Sequence, residues 1–420
     1  MKFRILSLGC RLNQSEIQSV STALQENGHK PATGDDAEVV IINSCAVTQR
    51  SERKTRQLIY RAAGEPSGPG GKRIIVTGCV PGELRREGNI YYVPNDYKHR
   101  IPEIITRWED FGEPEPELGA RFSFTPPVRS STSRVYLKIQ DGCDNFCSYC
   151  IVPLVRGAPQ SKPADRVAGE LARLLEAGYR EIVLSGVMIG NYRDGETDLA
   201  ALVARLLSAE GRYRVHLTSI SPLSVNPALI DLLSHEKIVR HLHLSLQSGS
   251  DRILAAMNRH YTRAAYRELT DRIRGGIPDF NFTTDVIVGF PGETGADFED
   301  TLGLIRDAGF SHVHTFRFSP RPGTKAALME DSIPENVKTE RSGRVIELAA
   351  RQKRDYLGRF NGRESLFLSE RTRSGITTGF NEYYAAIEVE EKLPRGEFFT
   401  VTTRLDAEKQ VLTGKINNKQ

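Results

Sequence analysis

The chain has 420 residues, 39% hydrophobic and 26% charged, with a formal net charge of +4. No stretch approaches the ~20 apolar residues of a membrane helix, and the length accommodates two or three domains, because single cores stop growing near about 250 to 300 residues. Composition is that of a soluble globular protein, and so small a net charge gives no argument for nucleic acid by itself. The N-terminus, MKFRILSLGC, lacks the apolar region and small-residue cleavage site of an export signal. A cytoplasmic chain is expected, and in that reducing compartment six cysteines point to metal ligation or redox chemistry rather than disulfides.

In chain order, residues 1 to about 105 alternate strand and helix signals: a strand over Phe3 to Leu8, a helix near Ser15 to Asn27, a strand over Val39 to Asn43, a helix from about Glu52 to Ala63, and a strand over Ile74 to Thr77. This alternation predicts an α/β domain with a parallel sheet. Glu109 to Ser133, with EPEPE and TPPVRSSTS, has neither helical nor strand periodicity and reads as a linker. From Val135 six strands follow, at Tyr136 to Gln140, Ile182 to Ser185, His216 to Ile220, His241 to Gln247, Thr283 to Gly289 and His312 to Ser319, which suggests a partial barrel. The helix near Asp165 places Val167, Leu171, Leu174 and Leu175 on one apolar face. After a helix ending near Phe360, β-rich runs at Ser365 to Ser369, Tyr383 to Val389, Phe398 to Leu405 and Val411 to Lys415 predict a small β-barrel of OB-like size. The expected units are 1–118, a linker over 119–133, 134–360 and 361–420.

Cys143, Cys147 and Cys150 lie in DGCDNFCSYC, immediately after the first barrel strand. Three thiolates on one loop hold three irons of a 4Fe-4S cube and leave the fourth open to other ligands. A structural zinc site is the alternative, but it needs a fourth ligand, and neither a fourth Cys nor a nearby His follows. Cys10, Cys45 and Cys79 each follow a predicted strand, in LSLGC, IINSC and IVTGC, about one strand-helix unit apart. Carboxyl ends of parallel strands line one sheet edge, so three such thiolates converge on a second centre. The competing reading makes each an ordinary buried cysteine.

The spacing in DGCDNFCSYC, with Tyr149 before the third cysteine, resembles the radical S-adenosylmethionine superfamily. That resemblance implies a partial (β/α)6 barrel and a cofactor chelated to the open iron and cleaved to a 5′-deoxyadenosyl radical. The two cysteine sets together resemble the methylthiotransferase family over essentially the whole chain: an N-terminal domain with an auxiliary 4Fe-4S cluster, the radical domain, and a C-terminal TRAM domain. INSCAVTQRSERKTRQ and HLSLQSGSDRILAAMNRHYT look most like the branch acting on threonylcarbamoyladenosine at tRNA position 37. The resemblance implies hydrogen abstraction from carbon 2 of the adenine and transfer of a methylated sulfur from the auxiliary cluster, with two S-adenosylmethionine molecules consumed. It also implies a tRNA substrate and an electron donor for the clusters. No membrane partner is expected, and a monomer is favoured.

Barrel strand ends gather site residues. Tyr149, Gly186 beside Ser185, Ser219, Gln247 and Asp285 are therefore candidates for contacting S-adenosylmethionine or the base, with structural hydrogen bonds as the rival role for the polar ones. Arg50, Arg53, Lys54 and Arg56 could meet tRNA phosphates or the threonylcarbamoyl carboxylate, or form a solvated helix face. GFPGET, from Gly289 to Thr294, is read as a turn opening a helix. His241, His243, His312 and His314 are read as barrel-interior or surface residues, since six cysteines suffice for both clusters. Residues 361 to 420 carry nine Lys or Arg and nine Asp or Glu, so RNA binding there requires segregated charge, the alternative being a domain that covers the barrel or docks a protein substrate. The remaining functional alternatives are methylthiolation of isopentenyladenosine tRNA or of a ribosomal-protein aspartate, and a non-catalytic iron-sulfur carrier.

Overall fold

The structure, a computed structural model, describes residues 1–64, 71–79, 83–112, 120–123, 133–330 and 333–418. The first layer is a six-stranded sheet of order β2-β1-β3-β4-β6-β5, with β1 Lys2–Ser7, β2 Lys30–Pro31, β3 Val39–Ser44, β4 Arg73–Gly78, β5 Arg85–Glu87 and β6 Ile90–Val93. The β1, β3, β4 and β6 pairings are parallel. Central β3, VVIINS, is buried along its whole length, as a strand covered on both faces must be. Val39 and Ile41 face α1, Arg11–Glu26, and α3, Ile101–Thr106; Val40 and Ile42 face α2, Gln49–Ala63. The sequence pattern does not reveal β2, β5 and β6, two of which are only two or three residues long, and it starts α1 a turn late.

The second unit is a partial barrel made of a three-stranded and a four-stranded parallel sheet. Arg134–Lys138 pairs with Glu181–Ser185 and that with Arg214–Leu217; after one break, Ser219–Ile220, His241–Leu244, Asn281–Val288 and His312–Arg317 continue. All pairings are parallel, and helices pack outside. Val167, Leu171 and Leu174 of helix Ala164–Glu176 are buried against the strands, with Leu175 partly buried beside them. The GFPGET turn opens helix Gly295–Ala308, with Thr294 and Asp297 forming a capping box. Among the described residues no helix is long and apolar enough to cross a membrane.

The supposed linker needs correction in part. Ala120–Phe122 is a 3-10 turn with Ala120 and Phe122 buried, and Arg121 pairs with Asp96 and donates to the Arg156 carbonyl. It packs between the two units. EPEPE lies outside the described residues, as does nearly all of TPPVRSSTS.

Helix Glu335–Gly358 leads to a closed barrel of five strands, Glu364–Arg373, Ile376–Phe380, Ala386–Val389, Phe398–Asp406 and Val411–Asn418. The second strand is not foreseen from the sequence; Ser374 and Gly375, both at positive φ, make the two-residue turn of its hairpin. Tyr383 and Tyr384, expected in a strand, sit instead in a turn with Tyr384 at φ 62°. That turn plugs the amino-terminal end of the larger barrel. The Tyr384 ring lies 4.5 Å from His216 and 4.8 Å from His241, and its hydroxyl accepts from Arg134 at 2.9 Å. Arg134 also clasps Glu370 with two hydrogen bonds, of 2.6 and 2.7 Å. Asn281 and Arg214 donate to the Tyr383 and Phe380 carbonyls.

Candidate metal centres

The first centre is the loop after Gln140–Asp141. Cys143, Cys147 and Cys150 lie within mutual electrostatic reach. Burial pushes the Cys143 thiol up and the Cys150 thiol up to about 12. Buried thiols of this kind stay protonated unless a cation compensates the thiolate, so the donor set fits a metal cluster. Arg259 supplies a second feature: its Nη1 donates to the Cys147 sulfur at 3.3 Å. Hydrogen bonds to cluster sulfurs tune reduction potential. Phe146, beside Cys147, is left-handed at φ 43° and exposed.

The second centre sits at the carboxyl edge of the N-terminal sheet. Ser7, Asn43 and Thr77 are in register on β1, β3 and β4, so the residues that follow, Cys10, Cys45 and Cys79, emerge side by side. Gly9 and Gly78 turn the chain there with φ of 101° and 94°. A Cβ on Gly9 would come 3.1 Å from the Cys45 Cβ, and one on Gly78 would strike the Ser44 carbonyl at 2.5 Å, so only glycine brings these loops together. Burial pushes the Cys45 thiol up, and Cys79 and Cys10 add to the shift. Cys45 and Cys79 are buried and Cys10 is exposed.

Between the centres lies a group of buried charges that sequence reasoning missed. Arg156 donates to Asp141 at 2.8 Å, to Asn13 at 2.6 Å and to Glu16 at 3.0 and 3.2 Å. Asn13 in turn donates to the Ser44 carbonyl at 2.8 Å, and its Nδ2 stands 4.0 Å from the Cys79 sulfur. Lys98 and Lys138 also converge on Glu16, at 2.5 and 2.7 Å. These cations hold the Glu16 carboxyl well below its usual range against the opposing effect of burial. The network joins α1 of the first unit to the cysteine loop of the second.

The other sequence candidates are placed as follows. Tyr149 packs against the core cluster that contains Ile253, Met257 and Phe290, and burial pushes its phenol well above the usual value. A Cβ on Gly186 would meet the Gln140 carbonyl at 2.9 Å, and the Gln140 amide oxygen accepts from Met188 N. Ser219 pairs with His243 on the adjacent strand. Gln247, at φ 69°, bridges the next strand by donating to the Asp285 carbonyl and accepting from Ile287 N. The Asp285 carboxylate lies 3.1 Å from His243 Nε2, and with His314 these groups form a potential metal-ligand cluster whose donor atoms all lie within 4.8 Å of one another. Arg50, Arg53, Lys54 and Arg56 lie along the outward side of α2, Arg56 facing Glu52 at 3.9 Å. They follow Cys45 in the chain and form a basic helix face of their own.

Two family models match the chain: the radical SAM superfamily over residues 137–305 and uncharacterized protein family UPF0004 over residues 2–89. The threonylcarbamoyladenosine tRNA methylthiotransferase MtaB of Chlamydia pneumoniae is 36% identical, covering 99% of this chain and 98% of its own length. The protein of the same name from Thermotoga maritima is 36% identical over 98% of this chain and 96% of its own. A tRNA-2-methylthio-N(6)-dimethylallyladenosine synthase of Erythrobacter litoralis is 35% identical over 88% and 86%. In fold, the chain is similar to the radical S-adenosylmethionine methyltransferase TsrM of Kitasatospora setae, with a TM-score of 0.56 at 12% identity over 90% of this chain and 80% of that one. The sequence relationships, near full length on both sides, establish that the chain is an enzyme of the radical S-adenosylmethionine tRNA methylthiotransferase family, whose cofactors are S-adenosylmethionine and 4Fe-4S iron-sulfur chemistry.

Proposed function

We propose that this enzyme adds a methylthio group to carbon 2 of threonylcarbamoyladenosine at tRNA position 37, with one 4Fe-4S cluster on Cys143, Cys147 and Cys150 and an auxiliary one on Cys10, Cys45 and Cys79. The observation that carries the reading is the convergence of three cysteines from adjacent strand ends, joined to the other cysteine loop through Asn13 and Arg156. An electron carrier or a simple radical enzyme needs no second triad at this place. When bound, the clusters and S-adenosylmethionine supply the radical chemistry and the sulfur and methyl groups transferred.

The chain's own residues do the rest. Arg259 orients and polarises Cys147, and Arg156 fixes the first unit on the second. Tyr149, Gly186, Ser219, Gln247 and Asp285 line or support the barrel interior where cofactor and base would meet. Arg50, Arg53, Lys54 and Arg56 follow Cys45 directly, where an RNA backbone approaching the auxiliary centre would pass. The terminal barrel, proposed to be a TRAM domain, has its Tyr384 turn in the larger barrel, which supports a covering role alongside any RNA contact.

Two relatives named for threonylcarbamoyladenosine align nearly end to end, which favours that substrate; a relative named for dimethylallyladenosine at 35% identity makes the isopentenyl branch the second reading. The test incubates the cluster-loaded enzyme with reductant, S-adenosylmethionine and each of the two modified tRNAs, followed by nucleoside mass spectrometry. Methylthio product from the threonylcarbamoyl tRNA alone is expected. Product from the isopentenyl tRNA alone would overturn the branch assignment.

A further inference from the structure

The two aromatic side chains of the cysteine loop are placed in opposite ways. Tyr149 packs against the core, whereas Phe146, next to Cys147, is 59% exposed at a φ of 43°. A left-handed backbone is a steric outlier for so bulky a residue, and such outliers persist only where the surroundings over-determine them. Here one turn holds the loop residue by residue. The Asn258 amide donates to the Asn145 and Phe146 carbonyls, both at 3.1 Å. Arg259 donates to the Cys147 sulfur at 3.3 Å. Ser148 donates its N–H to the Met257 carbonyl at 3.0 Å and its hydroxyl to the Ala256 carbonyl at 2.8 Å. Asn258 is itself left-handed, at φ 58°. Glycine or asparagine at position 146 would adopt the same backbone with less strain and less exposed apolar surface, so the phenyl ring does not serve the fold.

Other exposed apolar side chains gather on the same face. Among the described residues ten large hydrophobic side chains are exposed. Six of them, Val47, Phe146, Leu154, Leu223, Leu328 and Met329, lie in segments that follow the carboxyl ends of parallel strands, where both cysteine sets emerge. Two contacts tie the last of these segments to the cysteine loop and its helix. The Ala326 N–H donates to the Ser148 carbonyl at 2.7 Å, and a Cβ on Gly323 would lie 2.9 Å from Leu154 Cδ1. Apolar exposure collected on one face marks an interaction surface, and Phe146 is the aromatic member of the six.

The chemistry of the family decides what this surface meets. A tRNA base that reacts at the cysteine centres has to come to this face. RNA bases in loops are unstacked and are captured on aromatic side chains, a contact open to every base because each has a π-face. We propose that Phe146 is the residue on which one unpaired anticodon-loop base of the tRNA stacks, and that Asn258 is the positioning residue that turns the ring outward. This role rests on the tRNA substrate of the function proposed above, whichever modified adenosine that tRNA carries.

The test measures the affinity of the cluster-loaded chain for tRNA carrying threonylcarbamoyladenosine, together with iron content and affinity for S-adenosylmethionine. Phe146→Leu keeps an apolar side chain but removes the π-face; it should weaken tRNA binding about fivefold to a hundredfold, the worth of one base stacked on an aromatic ring. Its iron content and S-adenosylmethionine affinity should match wild type. Phe146→Trp should retain the tRNA affinity. Asn258→Gly, which permits the same left-handed turn without the amide, should weaken tRNA binding in the same direction as Phe146→Leu. Undiminished tRNA affinity in Phe146→Leu overturns the proposal, as does a loss that Phe146→Trp shares. Loss of iron or of S-adenosylmethionine affinity in Phe146→Leu overturns it too, because the ring then serves the cluster loop or the cofactor. Undiminished affinity in Asn258→Gly overturns the positioning role alone. Methylthio product formed by wild type keeps the two failures apart: product on neither modified tRNA refutes the proposed function, whereas product on the isopentenyl tRNA changes only the RNA on which the Phe146 variants are compared.

Discussion

Replacing Glu16 by Gln removes the anion on which Lys98, Lys138 and Arg156 converge. The five buried groups, those three cations with Glu16 and Asp141, then pass from a net charge of +1 to +2. Side-chain exposure is 1% for Lys98, 3% for Arg156 and 2% for Glu16, so water cannot replace the lost carboxylate. Breaking a buried pair from one side costs about 3–5 kcal/mol, because the partner charge stays uncompensated. The single tryptophan reports on this unit: Trp108 is buried, with its ring 4.9 Å from that of Tyr91. At a urea slope of about 2 kcal/mol per M, its unfolding midpoint should fall by about 1.5–2.5 M. Adding Lys98→Met to Glu16→Gln returns the net charge to +1 and should recover part of the loss, which a double-mutant cycle measures. A shift below about 0.5 M for Glu16→Gln, or no coupling in the cycle, would refute the idea that this network holds the two units together.

Acid should act on the same network. Because the Glu16 carboxyl is depressed in the fold, its stabilisation is complete above about pH 5 and is lost as pH falls below about 4 toward the folded value. The wild-type advantage over Glu16→Gln in urea midpoint should therefore shrink on acidification and stay constant between pH 6 and 8. Gly142→Ala places a methyl 2.0 Å from the Ala158 carbonyl at a φ of 75°; iron analysis should find about four irons fewer per chain, the content of one cluster. Tyr384→Ala empties the plug against His216 and His241 and should cost about 3–5 kcal/mol, read as faster hydrogen exchange in the Phe398–Asp406 and Val411–Asn418 strands. Reversing Arg53 and Lys54 to Glu should weaken tRNA binding and reduce the log-log salt slope by about 1 for each phosphate that is no longer neutralised.

The placement of the six cysteines is readable in the sequence because two simple rules govern it: three of them lie on one short loop, and residues that follow adjacent parallel strands share a sheet edge. The barrel strands are likewise legible from apolar runs, with ends displaced by no more than three residues, although the run His216 to Ile220 is split into Arg214–Leu217 and Ser219–Ile220. What stays hidden is long-range. Arg156, Glu16 and Lys98 have the composition of surface residues, and only packing of α1 on the cysteine loop reveals that they neutralise one another. Tyr384 resembles strand sequence because aromatic residues favour strands; its left-handed turn exists to reach a barrel more than a hundred residues upstream. Asp285 stands out by its place near a strand end, but its contact with His243, and the bonds by which Thr283 links His243 to His241, depend on alternate residues of neighbouring strands falling into register. In the sequence, His241 and His243 therefore look like separate interior residues rather than one connected chain.

The central claim is that two cysteine triads hold two clusters. Anaerobic reconstitution followed by iron and sulfide analysis of wild type and of the Cys10→Ala, Cys45→Ala, Cys79→Ala triple variant tests it most directly. The account predicts about eight irons per wild-type chain and about four in the variant, with methylthio product formed only by wild type. Four irons in both would mean that the sheet-edge cysteines hold no cluster, contradicting the two-centre account.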